Sequence, residues 1–260
     1  MKLAFHKYQG TGNDFILIDN RDRQFTYDNQ RIAQLCDRHF GIGADGLLLL
    51  ETIDGYAFRM VYYNSDGGPA TMCGNGARCI AAFAYRLGVA KKTVHFMAED
   101  GPHFAKIEIQ DELITQVELS MKDVIPDNVG EHFVILNTGT PHFVRFVEDP
   151  DSIDLMKEGS MIRYAPEYAP TGINVDFARY DDDQVFVRTF EKGVEAETLS
   201  CGTGVTASAI AASVFTGRNG YRVITRGGKL AVTFERNGLT FTNIRLSGPA
   251  TFVYSGEINI

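Results

Sequence analysis

Apolar residues along this chain fall mostly in short runs of alternating or continuous hydrophobicity, bounded by Gly, Asn and Asp, and such runs predict strands. Residues 3–8 and 15–19 read as strands flanking a Gly-rich turn at Gly10 to Gly12. Residues 47–51 and 58–64 follow, and 103–109 with 113–121 flank Gln110-Asp-Glu112 as a hairpin. The second half repeats the mixture at 132–137, 143–147, 174–178 and 185–190. Further runs lie at 222–225, 230–236, 239–246 and 251–260, with the tight-turn pair Asn237-Gly238 between two of them.

Helical spacing is rarer. Residues 29–39 and 153–163 are two candidates. Residues 75–87 are Ala-rich and stop at Gly88, and residues 203–216 are apolar almost all round and stop at Gly217. Gly just past the last turn is a common helix stop. A helix without a polar face must be buried. The pattern therefore predicts an α+β fold in which a mostly antiparallel sheet wraps around a central helix in each half, rather than alternating βαβ units.

The halves resemble one another. Met72-Cys-Gly-Asn-Gly76 and Ser200-Cys-Gly-Thr-Gly204 match, with Cys201 following Cys73 by 128 residues (201 − 73). The same shift lays Gly10-Thr-Gly-Asn-Asp-Phe15 on Thr138-Gly-Thr-Pro-His-Phe143, and Tyr63-Asn64 on Glu191-Lys192. Three segments in one ungapped register imply an internal duplication. Two pseudo-symmetric domains are expected, residues 1–122 carrying Cys73 and 123–249 carrying Cys201, with an active site in the cleft between them. Residues 123–130, with Pro126 and acidic neighbours, have linker character.

Composition narrows the function classes. Hydrophobic residues are 44% and charged residues 22%, the balance of a soluble globular protein. A net charge of −8 argues against a nucleic-acid partner. No apolar run reaches the length of a membrane span and the N-terminus lacks a signal-peptide pattern, so no membrane partner and a cytoplasmic location are expected. Four cysteines, Cys36, Cys73, Cys79 and Cys201, are then expected as reduced thiols. No Cys-x-x-Cys occurs and the histidines are scattered, which speaks against a metal site. Edge strands offer pairing for a homodimer.

Cys73 and Cys201 each stand immediately before a buried helix. First-turn N–H groups lack intrahelical partners and favour negative charge, which is expected to lower a thiol pKa and to seat a carboxylate. A single Cys there would be read as core packing, as Cys36 and Cys79 are. Two at equivalent positions, each followed by Gly-x-Gly, suggest one thiolate removing a proton while the other thiol delivers one to the opposite face. Such a site inverts a stereocentre and needs neither metal nor organic cofactor. A ligand-binding protein with a redox-active cysteine pair is the alternative from another class.

Gly12-Asn-Asp-Phe15, Gly41-Ile-Gly-Ala-Asp-Gly46, Tyr63-Asn-Ser-Asp-Gly67, Met72-Cys-Gly-Asn-Gly-Ala-Arg-Cys79, Thr138 to His142, Gly172-Ile-Asn174 and Glu197-Thr-Leu-Ser-Cys-Gly-Thr-Gly204 together resemble the motifs of the diaminopimelate epimerase family. The resemblance covers nearly the whole chain. It implies cofactor-independent epimerisation of a small-molecule amino acid, LL- to meso-diaminopimelate, in lysine and peptidoglycan precursor biosynthesis, with Cys73 and Cys201 as the two bases. It implies that Gly74, Asn75, Gly202 and Thr203 cradle the reacting carboxylate. Asn13, Asn64, Asn174 and Glu191 match positions that hold the rest of the substrate, and His142 and Glu191 match residues that assist the thiols. It also places the C-terminal strand, residues 250–260, in the first domain. Two departures touch the distal end of the substrate: Thr140 where the family commonly has Asn, and Lys192 where it commonly has Arg. Lys lacks the planar fork that Arg offers a carboxylate, so a racemase or epimerase of another amino acid on the same scaffold is the runner-up.

Overall fold

The computed structural model of the chain describes residues 2–26 and 28–259. Ile260, the last residue of the expected strand 251–260, lies outside the described residues, as do Met1 and Tyr27. The chain divides into two compact units, Met1–Leu119 with Gly248–Ile260, and Ser120–Ser247.

In the first unit β1 (Lys2–Gly10) and β2 (Asn13–Asp19) form a hairpin, and α1 (Asn29–Cys36) crosses over to β3 (Gly46–Glu51). β4 (Arg59–Asn64) and the short β5 (Pro69–Ala70) lead to α2 (Gly74–Arg86). β6 (Thr93–Ala98), β7 (Gly101–Ile109) and β8 (Ile114–Ser120) complete the run. β8 pairs with residues 248–251 of the last strand of the chain, whose end pairs with β1. The pairings β1–β2, β2–β3, β3–β4, β4–β6, β6–β7 and β7–β8 then close a ring.

The second unit repeats the plan. β9 (Asn128–Val129) pairs with β10 (Phe133–Asn137), which forms a hairpin with β11 (Pro141–Phe146). α3 (Leu155–Arg163) crosses over to β12 (Asn174–Asp181), β13 (Gln184–Glu191) and β14 (Ala196–Thr198) follow, and α4 (Gly202–Thr216) leads to β15 (Gly220–Thr225), β16 (Gly228–Asn237) and β17 (Thr240–Asn259). Val124 bridges to Phe241 of β17, so the stretch 124–129 closes this ring. Pairs are antiparallel except across the four helical crossovers, β2–β3, β4–β6, β11–β12 and β13–β15.

The layering explains the continuous apolar runs. Ile16, Ile18, Leu47 and Leu49 pack with Ile32 and Leu35 of α1. Phe15 and Leu48, on the opposite strand faces, lie against Gly76 of α2. In the second unit Val175 and Phe177 pack with Leu155 of α3, while Ala178 belongs to the core built around α4. Strands covered on both faces have no solvated side to alternate with. α4 is buried from Gly204 to Ser213, as its lack of a polar face requires, and it stops at Gly217, whose φ of 79° is the left-handed cap.

Several elements differ from the sequence pattern. The helix expected over 29–39 ends at Cys36, because the Asp37 carboxylate accepts the His39 and Phe40 N–H groups and turns the chain back on itself. The helix expected from 153 starts at Leu155, capped by the Asp154 carboxylate on the Lys157 N–H. The stretch 123–130 is a ring-closing segment as well as a connection. Residues 240–246 and 251–259 of two separately expected runs belong to one strand, β17, and β6 has no counterpart among the expected strands. Among the described residues no helix is long and apolar enough to cross a membrane.

Candidate active site

Cys73 is the N-cap of α2, with extended backbone and its Sγ 3.5 Å from the Gly76 N–H that donates to it. The Sγ also donates to Asn13 Oδ1 at 3.5 Å, and Asn75 Nδ2 donates to the same oxygen at 3.3 Å. The direction of this amide is set from behind. Asn13 Nδ2 donates to Asp45 Oδ2 at 2.8 Å, and a carboxylate can only accept, so Oδ1 must face the thiol. Asn75 is set in the same way: Arg78 donates to its Oδ1 at 2.9 Å, leaving Nδ2 for Asn13. Arg78 is fully buried and also donates to Gly74 O and Thr11 Oγ1. Gly74 opens the helix, and Asn64 stands exposed at the end of β4, where its carbonyl accepts the Gly67 N–H.

Behind Asn13, Asp14 is gripped by Lys7 and Arg38, each at 2.7 Å, and Arg38 also holds Asp45 at 2.8 Å. Burial opposes ionisation of Asp14, but the hydrogen bonds and charges of Arg38 and Lys7 outweigh it and hold the carboxyl well below the usual range. A carboxyl depressed on folding stabilises the native state above its unfolded pKa, about 4, and loses that contribution as pH falls toward the folded value. Thermal melts of the wild type should therefore fall with acidification below about pH 4 more steeply than those of Asp14→Asn. Parallel curves would contradict this role.

Cys201 is the N-cap of α4 and is 7% exposed. Its Sγ lies 3.3 Å from Thr203 Oγ1, which is 2.9 Å from His142 Nε2 on β11. His142 Nδ1 is 2.7 Å from Asp176 Oδ2, both side chains being 0% exposed, and Thr189 donates to the other Asp176 oxygen at 2.6 Å. Asn174 accepts the Lys192 backbone N–H at 2.7 Å and turns its Nδ2 toward His142 Nε2 at 3.3 Å. Glu191 accepts from the Thr198 hydroxyl at 2.7 Å. Thr138 donates to the Thr203 carbonyl at 2.9 Å and fastens the start of α4, of which buried Gly202 is the first residue.

The expectation that a helix start lowers the thiol pKa fails for Cys201. Burial pushes it well up, the carboxylates of Glu191 and Asp176 add to the rise, and the hydrogen bonds at the Thr203 hydroxyl and the Gly204 N–H offset only part. Desolvation of a thiolate outweighs the field of one helix end here.

The family model described as diaminopimelate epimerase matches residues 5–123 and 134–253. A diaminopimelate epimerase of Flavobacterium psychrophilum is 49% identical over 260 residues, covering 98% of this chain and 100% of that one. The chain belongs to the diaminopimelate epimerase family. It is thus an isomerase of the diaminopimelate epimerase type. A diaminopimelate epimerase of Chlorobaculum tepidum is 40% identical, with 96% of this chain and 99% of that one covered. A phenazine biosynthesis protein of Bacillus anthracis shares the fold, with a TM-score of 0.79 at 15% identity and 100% of both chains covered.

Against that family background, the structure joins Asn13, Gly74, Asn75 and Cys73 in one unit, and His142, Asn174, Thr203 and Cys201 in the other. Lys192 meets this second group through its backbone N–H. Asp45, Arg78 and Thr138, which lie within the motifs quoted above, and Asp176 and Thr189 are all in contact with these groups, and sequence reasoning assigned none of the five a role. Cys36 and Cys79 are buried free thiols whose pKa burial pushes up to about 12. Cys36→Ala and Cys79→Ala should each lower stability by about 1 kcal/mol with kcat unchanged. Melts and steady-state kinetics check this, and loss of turnover in a folded variant would contradict the core assignment.

Proposed function

We propose that the protein interconverts LL- and meso-diaminopimelate by two-thiol proton transfer at the α-carbon, without a cofactor. The observation that carries this reading is the repeated one: each duplicated unit ends a strand-to-helix connection in a cysteine N-cap on a buried helix. One thiolate takes the α-proton, and the C–H electron pair moves into the carboxylate as an enediolate-like anion. The other thiol then delivers its proton to the opposite face and is left as the thiolate. The reverse reaction exchanges the two protonation states.

The substrate carboxylate is proposed to rest on the first-turn N–H groups at Gly74, Asn75, Gly202 and Thr203, which also stabilise the developing charge. His142 and Glu191 assist proton movement at the thiols. Asn13, Asn64, Asn174, Glu191 and Lys192 hold the remaining amino and carboxyl groups, and Thr140 sets distal specificity. The turnover takes place in lysine and peptidoglycan precursor biosynthesis.

The test is incubation of the reduced protein with LL-diaminopimelate and, separately, with a panel of other amino acids, followed by stereochemical analysis. Conversion to the meso isomer with little reaction elsewhere is the expected result. Conversion of a different amino acid alone would overturn the substrate and trace it to Thr140 and Lys192. No conversion of anything, from folded protein with free thiols, would overturn the reading altogether.

A further inference from the structure

The register that aligns the two cysteines also aligns β3 with β12, and sets Asp176 where the first unit has Leu48. Leu48 lies against Gly76 of α2, and Asp176 lies against Gly204 of α4. One inward strand position thus carries an apolar side chain in one unit and a fully buried carboxylate in the other. A buried carboxylate is costly unless hydrogen-bonded, and both of its oxygens are engaged, by His142 and Thr189. Fold formation alone does not require it, since the first unit forms the same ring with leucine.

The hydrogen-bond directions around His142 determine what the carboxylate does. Asp176 can only accept, so Nδ1 carries the proton between them. Asn174 has its Oδ1 committed to the Lys192 N–H, so its Nδ2 points a donor at Nε2. Nε2 is therefore an acceptor, and the Thr203 hydroxyl donates to it. That leaves the Thr203 oxygen to accept from the Cys201 S–H at 3.3 Å.

Resting on the two-thiol reading above, we propose that Asp176 is a positioning residue that holds His142 in its Nδ1–H form, so that Nε2 takes the Thr203 hydroxyl proton and Cys201 awaits substrate as the thiol. The groups facing Cys201 agree with that state: Glu191 on β13 and Asp176 on β12 disfavour a thiolate, and His142 on β11 presents an acceptor through Thr203.

The decisive experiment is long-range ¹H–¹⁵N correlation spectroscopy of the imidazole nitrogens in the full chain, with His142 assigned from the peaks missing in His142→Gln. The wild type should show protonated Nδ1 and bare Nε2. Asp176→Leu, which installs the residue of the other unit, should move the ring toward the Nε2–H form and lower kcat on the order of 10–100-fold with KM little changed. Asp176→Asn, whose amide oxygen can still accept, should fall between and serves if the leucine variant does not fold. An Nε2–H ring in the wild type, or an unchanged ring and unchanged kcat in both variants, would overturn the proposal. The tautomer is read without substrate. An active enzyme with an Nε2–H ring would therefore sink this inference alone, and an inactive protein with an Nδ1–H ring would sink the functional reading.

Discussion

Cys201→Ser is expected to lower kcat for epimerisation by about 10³-fold or more while substrate still binds, and Cys73→Ser should do the same. Serine keeps the shape of the N-cap, so α2 and α4 should still form and melting temperatures should hardly move. What is lost is a group able to exchange a proton with an α-carbon near neutral pH, because an alcohol is a far weaker acid than a thiol. Each direction of the reaction uses both groups, one as base and one as acid, so neither single variant should be spared. Steady-state kinetics in both directions with ligand-binding titrations would check this. Wild-type rates in both variants would remove the two-thiol mechanism.

The second large effect is expected at Gly204. A Cβ there would sit 2.6 Å from Asp176 Oδ1, 3.2 Å from Thr189 Oγ1 and 3.3 Å from His142 Cε1. Asp176 cannot give way easily, because both of its oxygens are held. Gly204→Ala should therefore destabilise by about 1–3 kcal/mol through overpacking, against the roughly 1 kcal/mol that alanine normally gains inside a helix. It should also depress kcat by displacing His142. At Gly76 the nearest atoms to an added Cβ belong to Leu48, Cys73 and Phe15 at 3.4–3.5 Å, ordinary contact distance, so Gly76→Ala should be the milder in denaturant melts. Equal losses in the two variants would contradict this account of the second glycine of the motif.

Much of the fold was legible because the duplication is written in the residues that cannot vary freely in such a ring: the Gly-rich hairpin turns, the glycines at the helix starts, and the apolar central helices. The two Cys-Gly-x-Gly segments set the 128-residue register, their cysteines are the two helix N-caps, and both helices begin one residue earlier than the periodicity suggested. Ring closure was not legible. Residues 124–129 form a short, Pro-containing, acidic stretch, and they pair only because the ring leaves a gap of one strand there.

Asp176 was missed for a related reason. In Asn174-Val-Asp-Phe-Ala-Arg-Tyr180 an acidic residue between Val and Phe reads as the solvent side of an alternating strand, yet β12 is covered on both faces. Extending the register from the cysteines to the strands would have set Asp176 on Leu48 and Thr206 on Arg78, and so shown that the polar equipment behind the two thiols differs. The lowered thiol pKa expected at both helix starts likewise assumed an accessible site, and burial reverses it at Cys201.

The central claim, proton transfer by two separate thiols, is tested most directly by early-time epimerisation of LL-diaminopimelate in D₂O. Two thiols predict that the meso product carries solvent deuterium at the inverted carbon while the remaining LL substrate stays unlabelled, because the delivered proton comes from the group that did not take one. Product that retains the original proton, or substrate that exchanges as fast as product forms, would show a single base at work and contradict the account.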